Sequence, residues 1–262
     1  MEELEFIKKV VVAAYKKQIK GKKFAAQDKQ NKLYDDVVTE CDINTEKYIL
    51  SCIKKKYPND NFVSEEFNSD ATCKGRCWIL DPIDGTVNFK NGVPIWCIQI
   101  AFVVDGQTNF AVVYVPTANK LLWADESGFY VNGKKFQPNL DCQTELATIT
   151  MTDFSPKEKV RYKIQQGLYD QLLNKVFRVR ILGSAGCEFS CVATGKHQGY
   201  IMTNPNIWDL LPGLFLCEKA GCEIVRVEQN GETVVGAVAN KQIKEDVEKI
   251  AKVALNKTTK CK

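Results

Sequence analysis

Histidine is almost absent from this sequence, since His197 is the only one among 262 residues. This excludes a histidine-rich zinc centre and a His-Glu-x-x-His metalloprotease helix, and a Ser-His-Asp or Cys-His mechanism could use only His197. That residue lies in the turn-like segment Gly-Lys-His-Gln-Gly, so we expect it in a surface loop. The chain also lacks a long apolar run. The stretch Val10 to Ala14 is far too short to span a bilayer, and lysines follow it, so we expect no membrane association.

A strong excess of one charge is also missing. The chain has 36 basic and 32 acidic residues, a formal net charge of +4. This balance is too mild to indicate a nucleic-acid partner, and the lysines occur in short groups typical of solvated surfaces. With 45% hydrophobic and 26% charged residues, the composition is that of an ordinary globular protein, long enough for one large domain or two modest ones.

Cysteine, in contrast, is abundant, with eleven residues. Cys73 and Cys77, like Cys187 and Cys191, are separated by three residues, whereas zinc knuckles and thioredoxin-like sites usually have two between their cysteines. No signal peptide is evident at Met1. We therefore expect free thiols in a reducing cytoplasm, with a zinc site as the alternative.

The most informative stretch is Trp-Ile-Leu-Asp-Pro-Ile-Asp-Gly-Thr-Val-Asn-Phe, residues 78–89. Three apolar residues predict a short buried strand that stops at Asp81-Pro82, because proline cannot continue a central strand. Asp84 adds a second carboxylate, and Gly85 and Thr86 begin a predicted helix whose free N–H groups favour a phosphate. Paired carboxylates beside such a turn suit Mg²⁺, which takes oxygen ligands and phosphate oxygens. The stretch therefore predicts metal-assisted phosphoryl chemistry.

A second acidic segment precedes this one. Asn61 to Ser64 predicts a short strand that ends at Glu65-Glu66. If this strand neighbours the strand at Trp78, then Glu65, Asp81 and Asp84 converge. Taken alone, each acidic group is as readily a solvent-facing strand end.

The remaining elements are predicted from periodicity and turn residues. In the first half we expect a helix over residues 2–20, a polar loop at 21–33 in which Lys29 and Lys32 could cover an anionic site, a helix from about Asp36 to Tyr57, and hairpin strands at 95–104, 110–115, 121–123 and 129–131. In the second half we expect strands at 146–151, 178–182, 199–202 and 223–227, and helices at 156–173, 183–194 and 208–220. The pattern therefore predicts an α+β first half with an antiparallel sheet and a second half of α/β layers. We expect the two halves to form one catalytic domain over 1–262, with subdomains at about 1–140 and 141–262.

Two further segments are, by themselves, only weak signals of a functional site. Asp209 follows Trp208 at a predicted helix start, where an aspartate is by default a cap. The turn Gly183-Ser184-Ala185-Gly186 matches neither a G-x-G-x-x-G fingerprint nor a Walker loop.

Together, three blocks resemble the inositol monophosphatase family of magnesium-dependent, lithium-sensitive phosphatases. The blocks are Asp36-Val37-Val38-Thr39 with Asp42, Glu65-Glu66 with residues 81–89, and Trp208-Asp209 followed by Ala220-Gly221. Their order and spacing match the family over most of the chain. The resemblance implies a layered α-β-α-β-α sandwich, usually a homodimer, that hydrolyses small phosphate esters.

The resemblance also assigns roles to individual positions. Glu65, Asp81 and the carbonyl of Ile83 would hold a first Mg²⁺, and Asp81, Asp84 and Asp209 a second, with a third, weaker ion at Glu65. The attacking water would be activated by metal and oriented by the Thr86 hydroxyl, with Asp42 behind it. Gly85 and Thr86 would bind the phosphate, and Gly183, Ser184 and Ala185 would lie near the substrate hydroxyls. Clustered carboxylates of this kind repel one another unless divalent cations neutralise them.

One departure concerns the substrate. Animal members of the family carry an acidic residue seven positions before the helix-start aspartate, and Met202 stands there in this chain. Methionine is only a weak hydrogen-bond acceptor. The leading interpretation is therefore an inositol monophosphate or related sugar-phosphate phosphatase, and the alternative is a broader enzyme that acts on fructose bisphosphate or NADP. Two more distant interpretations are a nucleotidase-like enzyme for 3′-phosphoadenosine compounds and a catalytically inactive protein that binds a partner.

Overall fold

The computed structural model describes residues 1–21, 26–28 and 37–257 of the chain. Lys29, Lys32 and Asp36 lie outside these ranges. The described α-helices are α1 (Glu2–Ala14), α2 (Glu40–Lys56), α3 (Thr86–Lys90), α4 (Lys159–Leu173), α5 (Ala185–Ala193), α6 (Ile207–Lys219) and α7 (Lys241–Lys257). The described strands are β1 (Ala26–Asp28), β2 (Val37–Thr39), β3 (Asn61–Ser64), β4 (Arg76–Asp84), β5 (Cys97–Val104), β6 (Gln107–Val115), β7 (Lys120–Asp125), β8 (Gly128–Val131), β9 (Lys134–Lys135), β10 (Thr148–Met151), β11 (Arg178–Arg180), β12 (Gly199–Thr203), β13 (Glu223–Gln229) and β14 (Glu232–Val238).

Two large sheets account for most of the strands. The first has the order β3-β4-β5-β6-β7-β8-β9, with β3 parallel to β4 and the other pairs antiparallel. The expected antiparallel sheet is thus mixed, because its edge pair is parallel. The second sheet has the order β11-β10-β12-β14-β13 and is also mixed. β1 and β2 form a separate antiparallel pair.

The layers follow from the alternation of side chains along each strand. On β4, Trp78 and Leu80 pack in one apolar cluster with α1 and α2, whereas Cys77 and Ile79 pack in a second cluster with α5 and α6. That second cluster also takes in side chains of β12 and β14 from the other sheet. The opposite face of the second sheet packs against α4 and α7. The order is helices, sheet, helices, sheet, helices, which confirms the predicted α-β-α-β-α sandwich.

The predicted end of the strand at Asp81-Pro82 is wrong. β4 continues to Asp84, and its register against β5 shifts between Asp81, which faces Gln99, and Asp84, which faces Cys97. Three steps along β4 match two along β5, so one extra residue bulges out of the ladder. The bulge accommodates Pro82 because the ladder needs no N–H donor there. The irregularity directs both carboxylates towards the same edge of the sheet.

Most other predicted elements are confirmed within a few residues. α1 buries Leu4, Ile7, Val10, Val11 and Ala14, the five positions of the predicted apolar face. The predicted turn at Asp105-Gly106 joins β5 to β6, and both residues have positive φ, 50° and 82°. The division of the chain near residue 140 into subdomains stays a prediction.

Candidate active site

Acidic side chains from β4 and α6 meet at one edge of the first sheet. Carboxylate oxygens of Asp81 and Asp84, at the end of β4, and of Asp209, in the first turn of α6, lie within 4.8 Å of one another. Asp81 and Asp84 are almost completely buried, with 1% and 6% exposure. The parallel pairing of β3 with β4 brings Glu65 to the same edge. The sequence-predicted convergence of these groups is therefore present in the fold.

The pKa values of these carboxylates reflect their burial and their proximity to one another. Burial raises the pKa of Asp81 well above its usual range, and the charges of Glu65, Asp84, Asp209 and Asp42 raise it further. Burial, followed by the charge of Asp84, raises the pKa of Asp209 to about 7. No lysine or arginine side chain of the described ranges forms an ion pair with Asp81 or Asp84. Because the available metal-ligand atoms are carboxylate oxygens and their negative charge is concentrated, the cluster fits a hard divalent cation such as Mg²⁺.

Asp84 is held from the other half of the chain. Its carboxylate accepts hydrogen bonds from the Ser184 hydroxyl at 2.6 Å, the Ala185 N–H at 2.9 Å and the Gly186 N–H at 2.7 Å. The Cys97 thiol is a fourth donor, at 3.2 Å. Burial still raises the pKa of Asp84, although these hydrogen bonds lower it. The start of α5, predicted to lie near the substrate hydroxyls, thus fixes a carboxylate of the acidic cluster.

The Thr86 hydroxyl joins two other predicted groups. Its Oγ1 lies 3.0 Å from Asp42 Oδ1 and 3.0 Å from the carbonyl oxygen of Ile83. Asp42, on α2, is fully buried. The hydroxyl has one proton to donate, so it can serve only one of these acceptors at a time. The Ile83 N–H donates to Asp81 Oδ1 at 3.0 Å, which ties this peptide to the acidic cluster.

Gly85 begins α3 in a conformation that requires glycine. Its φ is 90°, and a Cβ there would lie 3.0 Å from the carbonyl oxygens of Gly183 and Ile95. Asn88 secures the same junction, because its Nδ2 donates to the carbonyl of Leu182 at 2.7 Å and to that of Ile95 at 2.9 Å. The turn that follows the acidic pair is therefore fixed against the start of α5.

A buried carboxylate that sequence reasoning missed supports Glu65. Glu46, on α2, is fully buried, and it accepts hydrogen bonds from the Ser64 hydroxyl at 2.5 Å, the Glu66 N–H at 3.0 Å and the Phe67 N–H at 3.1 Å. These donors flank Glu65 on both sides. The available signal was the spacing of Glu46 one helical turn after Asp42, which places both acids on the same face of α2.

The acidic cluster opens into a cleft of about 500 Å³. Residues from both halves of the chain line it: Glu65, Asp84, Thr152, Asp153, Ser155, Glu158, Arg161, Gly183, Ser184, Ala185, Glu188, Tyr200, Met202, Asn204, Asn206 and Asp209. Burial raises the pKa of Glu188, one of these residues, to about 8. Sequence reasoning missed Asp153, Arg161 and Glu188, because only the packing of the second sheet shows that they face the cleft.

Histidine and cysteine take no visible part in the acidic cluster apart from Cys97. His197 lies in the loop between α5 and β12, as predicted, but it is half-buried there, and burial lowers its pKa. The ten cysteines of the described ranges are free thiols. Among the described residues, no group of three metal-ligating side chains includes a cysteine, which leaves the zinc alternative without support. No helix in these ranges combines the length and apolar character needed to cross a membrane.

The family model of the inositol monophosphatase family matches residues 3–258. This chain belongs to the inositol monophosphatase family. It is 33% identical over 193 residues to a fructose-1,6-bisphosphatase/inositol-1-monophosphatase of Thermotoga maritima, a match that covers 72% of this chain and 70% of that protein. It is 31% identical over 188 residues to the Nus factor SuhB of Xylella fastidiosa, covering 71% and 67%.

A solved structure of a Thermotoga maritima IMPase superimposes on this member of the inositol monophosphatase family with a TM-score of 0.81. The match covers 98% of this chain and 100% of that one, at 25% identity. The predicted family and the predicted fold are both confirmed. The protein is thus an enzyme of the inositol monophosphatase type, a phosphoric monoester hydrolase.

Proposed function

We propose that this phosphatase hydrolyses inositol monophosphate, or related small polyol and sugar phosphates, in a Mg²⁺-dependent reaction in which water attacks phosphorus. The observation that carries the proposal is the meeting of Asp81, Asp84 and Asp209, whose oxygens lie within 4.8 Å of one another. Burial raises the pKa of all three carboxylates, and neighbouring carboxylate charges raise that of Asp81 and Asp209 further, which supports a cation at this cluster. Mg²⁺ matches this all-oxygen set.

The metal ligands that we propose are Glu65, Asp81, the carbonyl oxygen of Ile83, Asp84 and Asp209, which would hold two to three Mg²⁺ ions. When bound, the ions would activate the attacking water and neutralise charge on the phosphate. A solved IMPase/NADP phosphatase with the same fold, at a TM-score of 0.74, is complexed with Mg²⁺ and phosphate. That observation concerns the other protein and supports the choice of metal here.

Thr86 and Asp42 are proposed to orient the attacking water. The Thr86 hydroxyl is within hydrogen-bond distance of the Asp42 carboxylate, which is buried behind it. If the Thr86 hydroxyl donates its hydrogen bond to Asp42, its lone pairs are free to accept a hydrogen bond from the attacking water and so orient it. The N–H groups of Gly85 and Thr86, at the start of α3, are proposed to bind the phosphate, with Gly183, Ser184, Ala185 and Asp209 close to the rest of the substrate.

A broader phosphatase is the second candidate, because Met202 lines the cleft where animal relatives carry an acid. The Thermotoga relative named for two substrates supports this alternative, which includes fructose bisphosphate and NADP. A remote alternative is that this chain binds a partner and has no catalytic role. Relatives that are named Nus factors are the reason to retain it. We further propose that the protein is cytoplasmic, forms a homodimer and is inhibited by lithium. Light scattering tests the homodimer, and a lithium chloride titration of activity tests the inhibition.

Phosphate release decides between the candidates. The substrates are inositol 1-phosphate, fructose 1,6-bisphosphate, NADP and glycerol 2-phosphate, each with Mg²⁺ and with EDTA. Release from inositol phosphate alone supports the leading proposal, and release from all four supports the broad alternative. Absence of Mg²⁺-dependent release from every substrate would refute both and favour the partner-binding role.

A further inference from the structure

Asp153 is a carboxylate on the wall of the cleft for which the proposed mechanism has no use. It lies two residues after the end of β10, faces the cleft and is open to solvent. Within the described part of the chain, its carboxylate accepts no hydrogen bond and forms no ion pair. Surrounding protein atoms nevertheless raise its pKa by reducing its hydration. A charged acceptor in this setting is available to a ligand.

The backbone that carries Asp153 is fixed in place. Gln165, on α4, is fully buried. Its Nε2 donates to the Asp153 carbonyl at 2.7 Å, and its Oε1 accepts from the Ser155 N–H at 3.0 Å. The Thr152 N–H also donates to the Ile201 carbonyl on β12, at 3.3 Å. The carboxylate is therefore presented from a held loop, and little ordering entropy is lost when it binds a partner.

Asp153 also lies beside groups of the proposed active site. Its Oδ2 is 3.3 Å from the position that a Cβ on Gly183 would occupy. Gly183 leads directly into Ser184 and Ala185, which donate to Asp84. Asp153 is therefore close to the acidic cluster, on the side where the cleft opens between β10 and α5.

Two neighbouring polar side chains of the cleft, Asn204 and Glu158, are already engaged. Asn204 donates to Glu232 at 2.5 Å and accepts from the Thr233 N–H at 2.7 Å. Glu158 pairs with Arg161 at 3.0 Å. Met202 offers only a thioether. Asp153 thus supplies the strong acceptor that Met202 cannot.

We infer that Asp153 is a specificity-determining residue, which accepts hydrogen bonds from free hydroxyls of the alcohol part of the substrate. The inference rests on the proposed function and narrows its substrate class to monophosphate esters of polyols or sugars. A carboxylate binds hydroxyl donors well and repels a second phosphate at the same wall. Asp153 therefore favours a hydroxylated monophosphate over a bisphosphate.

Steady-state kinetics of Asp153→Asn and Asp153→Ala test the inference. The two substrates are inositol 1-phosphate, which carries ring hydroxyls, and 4-nitrophenyl phosphate, which carries none. Loss of a hydrogen bond to a charged group predicts a KM for inositol 1-phosphate higher by about 10-fold or more in Asp153→Ala. The KM for 4-nitrophenyl phosphate and both kcat values should stay within about 2-fold of the wild type. Asp153→Glu, which keeps the acceptor, should recover most of the affinity.

Glu158→Gln is the matched control, because it removes one negative charge from the same cleft at a residue already paired with Arg161. It should alter the two substrates equally. Equal effects of Asp153→Ala on both substrates, or no effect on inositol 1-phosphate, would overturn the inference while leaving the proposed function in place. A wild-type protein that releases phosphate from neither substrate with Mg²⁺ would instead refute the proposed function, and the inference with it.

Discussion

Replacing Glu46 with glutamine tests whether this buried carboxylate positions Glu65. Its Oε1 accepts from the Ser64 hydroxyl and the Phe67 N–H, and its Oε2 accepts from the Glu66 N–H. Glutamine has one acceptor oxygen and one NH₂ group, so at least one of these donors must lose its partner. The best arrangement keeps the Oε1 contacts and leaves the Glu66 N–H facing an NH₂ group. A buried donor without a partner costs about 1–3 kcal/mol.

We therefore expect Glu46→Gln to lower the free energy of unfolding by about 1–3 kcal/mol and to move Glu65, which lies between the contacts that Glu46 makes. Loss of such support for a metal ligand typically weakens metal binding by about 10- to 100-fold. Urea unfolding gives the first quantity. The midpoint of Mg²⁺ activation, together with Mn²⁺ binding followed by electron paramagnetic resonance, gives the second.

Ile243→Val is the matched control for Glu46→Gln. Ile243 is fully buried in the cluster of α4, α7 and the second sheet, and its truncation costs about 1 kcal/mol without touching the acidic cluster. If Glu46→Gln loses stability but keeps the Mg²⁺ midpoint of this control, Glu46 has no positioning role. Unchanged stability would refute the hydrogen-bond argument itself.

Three further predictions concern the acidic cluster and its neighbours. Asp81→Asn should abolish turnover with the fold intact by circular dichroism, and full activity would contradict its role as a metal ligand. Thr86→Ala should lower kcat by about 100-fold with a smaller change in KM, as expected for general acid–base catalysis, and an effect on KM alone would contradict water orientation. In EDTA, ionisation of Asp209 should cost up to about 4 kcal/mol of stability as the pH rises from 4 to 8, because the folded-state pKa of Asp209, about 7, lies about three units above its ordinary value and ionisation therefore disfavours the folded state. Urea unfolding of Asp209→Asn should show a shallower decline, Mg²⁺ should reverse the loss in the wild type, and identical pH profiles for the two proteins would refute the assignment.

The acidic cluster could be predicted from sequence because its members lie at the ends of strands or at the start of a helix. Glu65 directly follows β3 and Asp81 lies near the end of β4, and the parallel pairing of these strands brings them together. Asp209 was predictable as a helix-start residue and Thr86 as the start of α3. Local patterns carry this information, and the resemblance of the three blocks to one family links them.

Residues whose roles depend on packing were not predicted. Glu46 is in the middle of α2, where an acid is ordinarily solvated. Its spacing from Asp42 places both acids on one helix face, but its hydrogen bonds with residues 64–67 depend on how α2 packs in the fold. Asp153 follows a predicted strand, but the cleft that it faces is formed by elements that come later in the chain. Periodicity describes one element at a time, so contacts between distant elements are invisible to it.

Some of the fold was missed although its signals were present. Asn230-Gly231 is a tight-turn pair between β13 and β14, with φ of 57° and 80°. The apolar positions Ile243, Val247, Ile250 and Ala254 recur at helical spacing along α7. The rule that proline ends a central strand failed at Pro82, because a bulge lets the strand continue past it.

The four hydrogen bonds on Asp84 also bear on how the molecule assembles. Three of its donors come from residues 184–186, about one hundred positions later in the chain. Contacts of such large sequence separation require closure of a long loop, and they form late when folding starts from local structure. The acidic cluster is therefore completed only when the two sheets have docked around α5 and α6. A cation that binds the completed cluster stabilises the docked arrangement by mass action. A higher magnesium concentration should therefore make separation of the two sheets rarer.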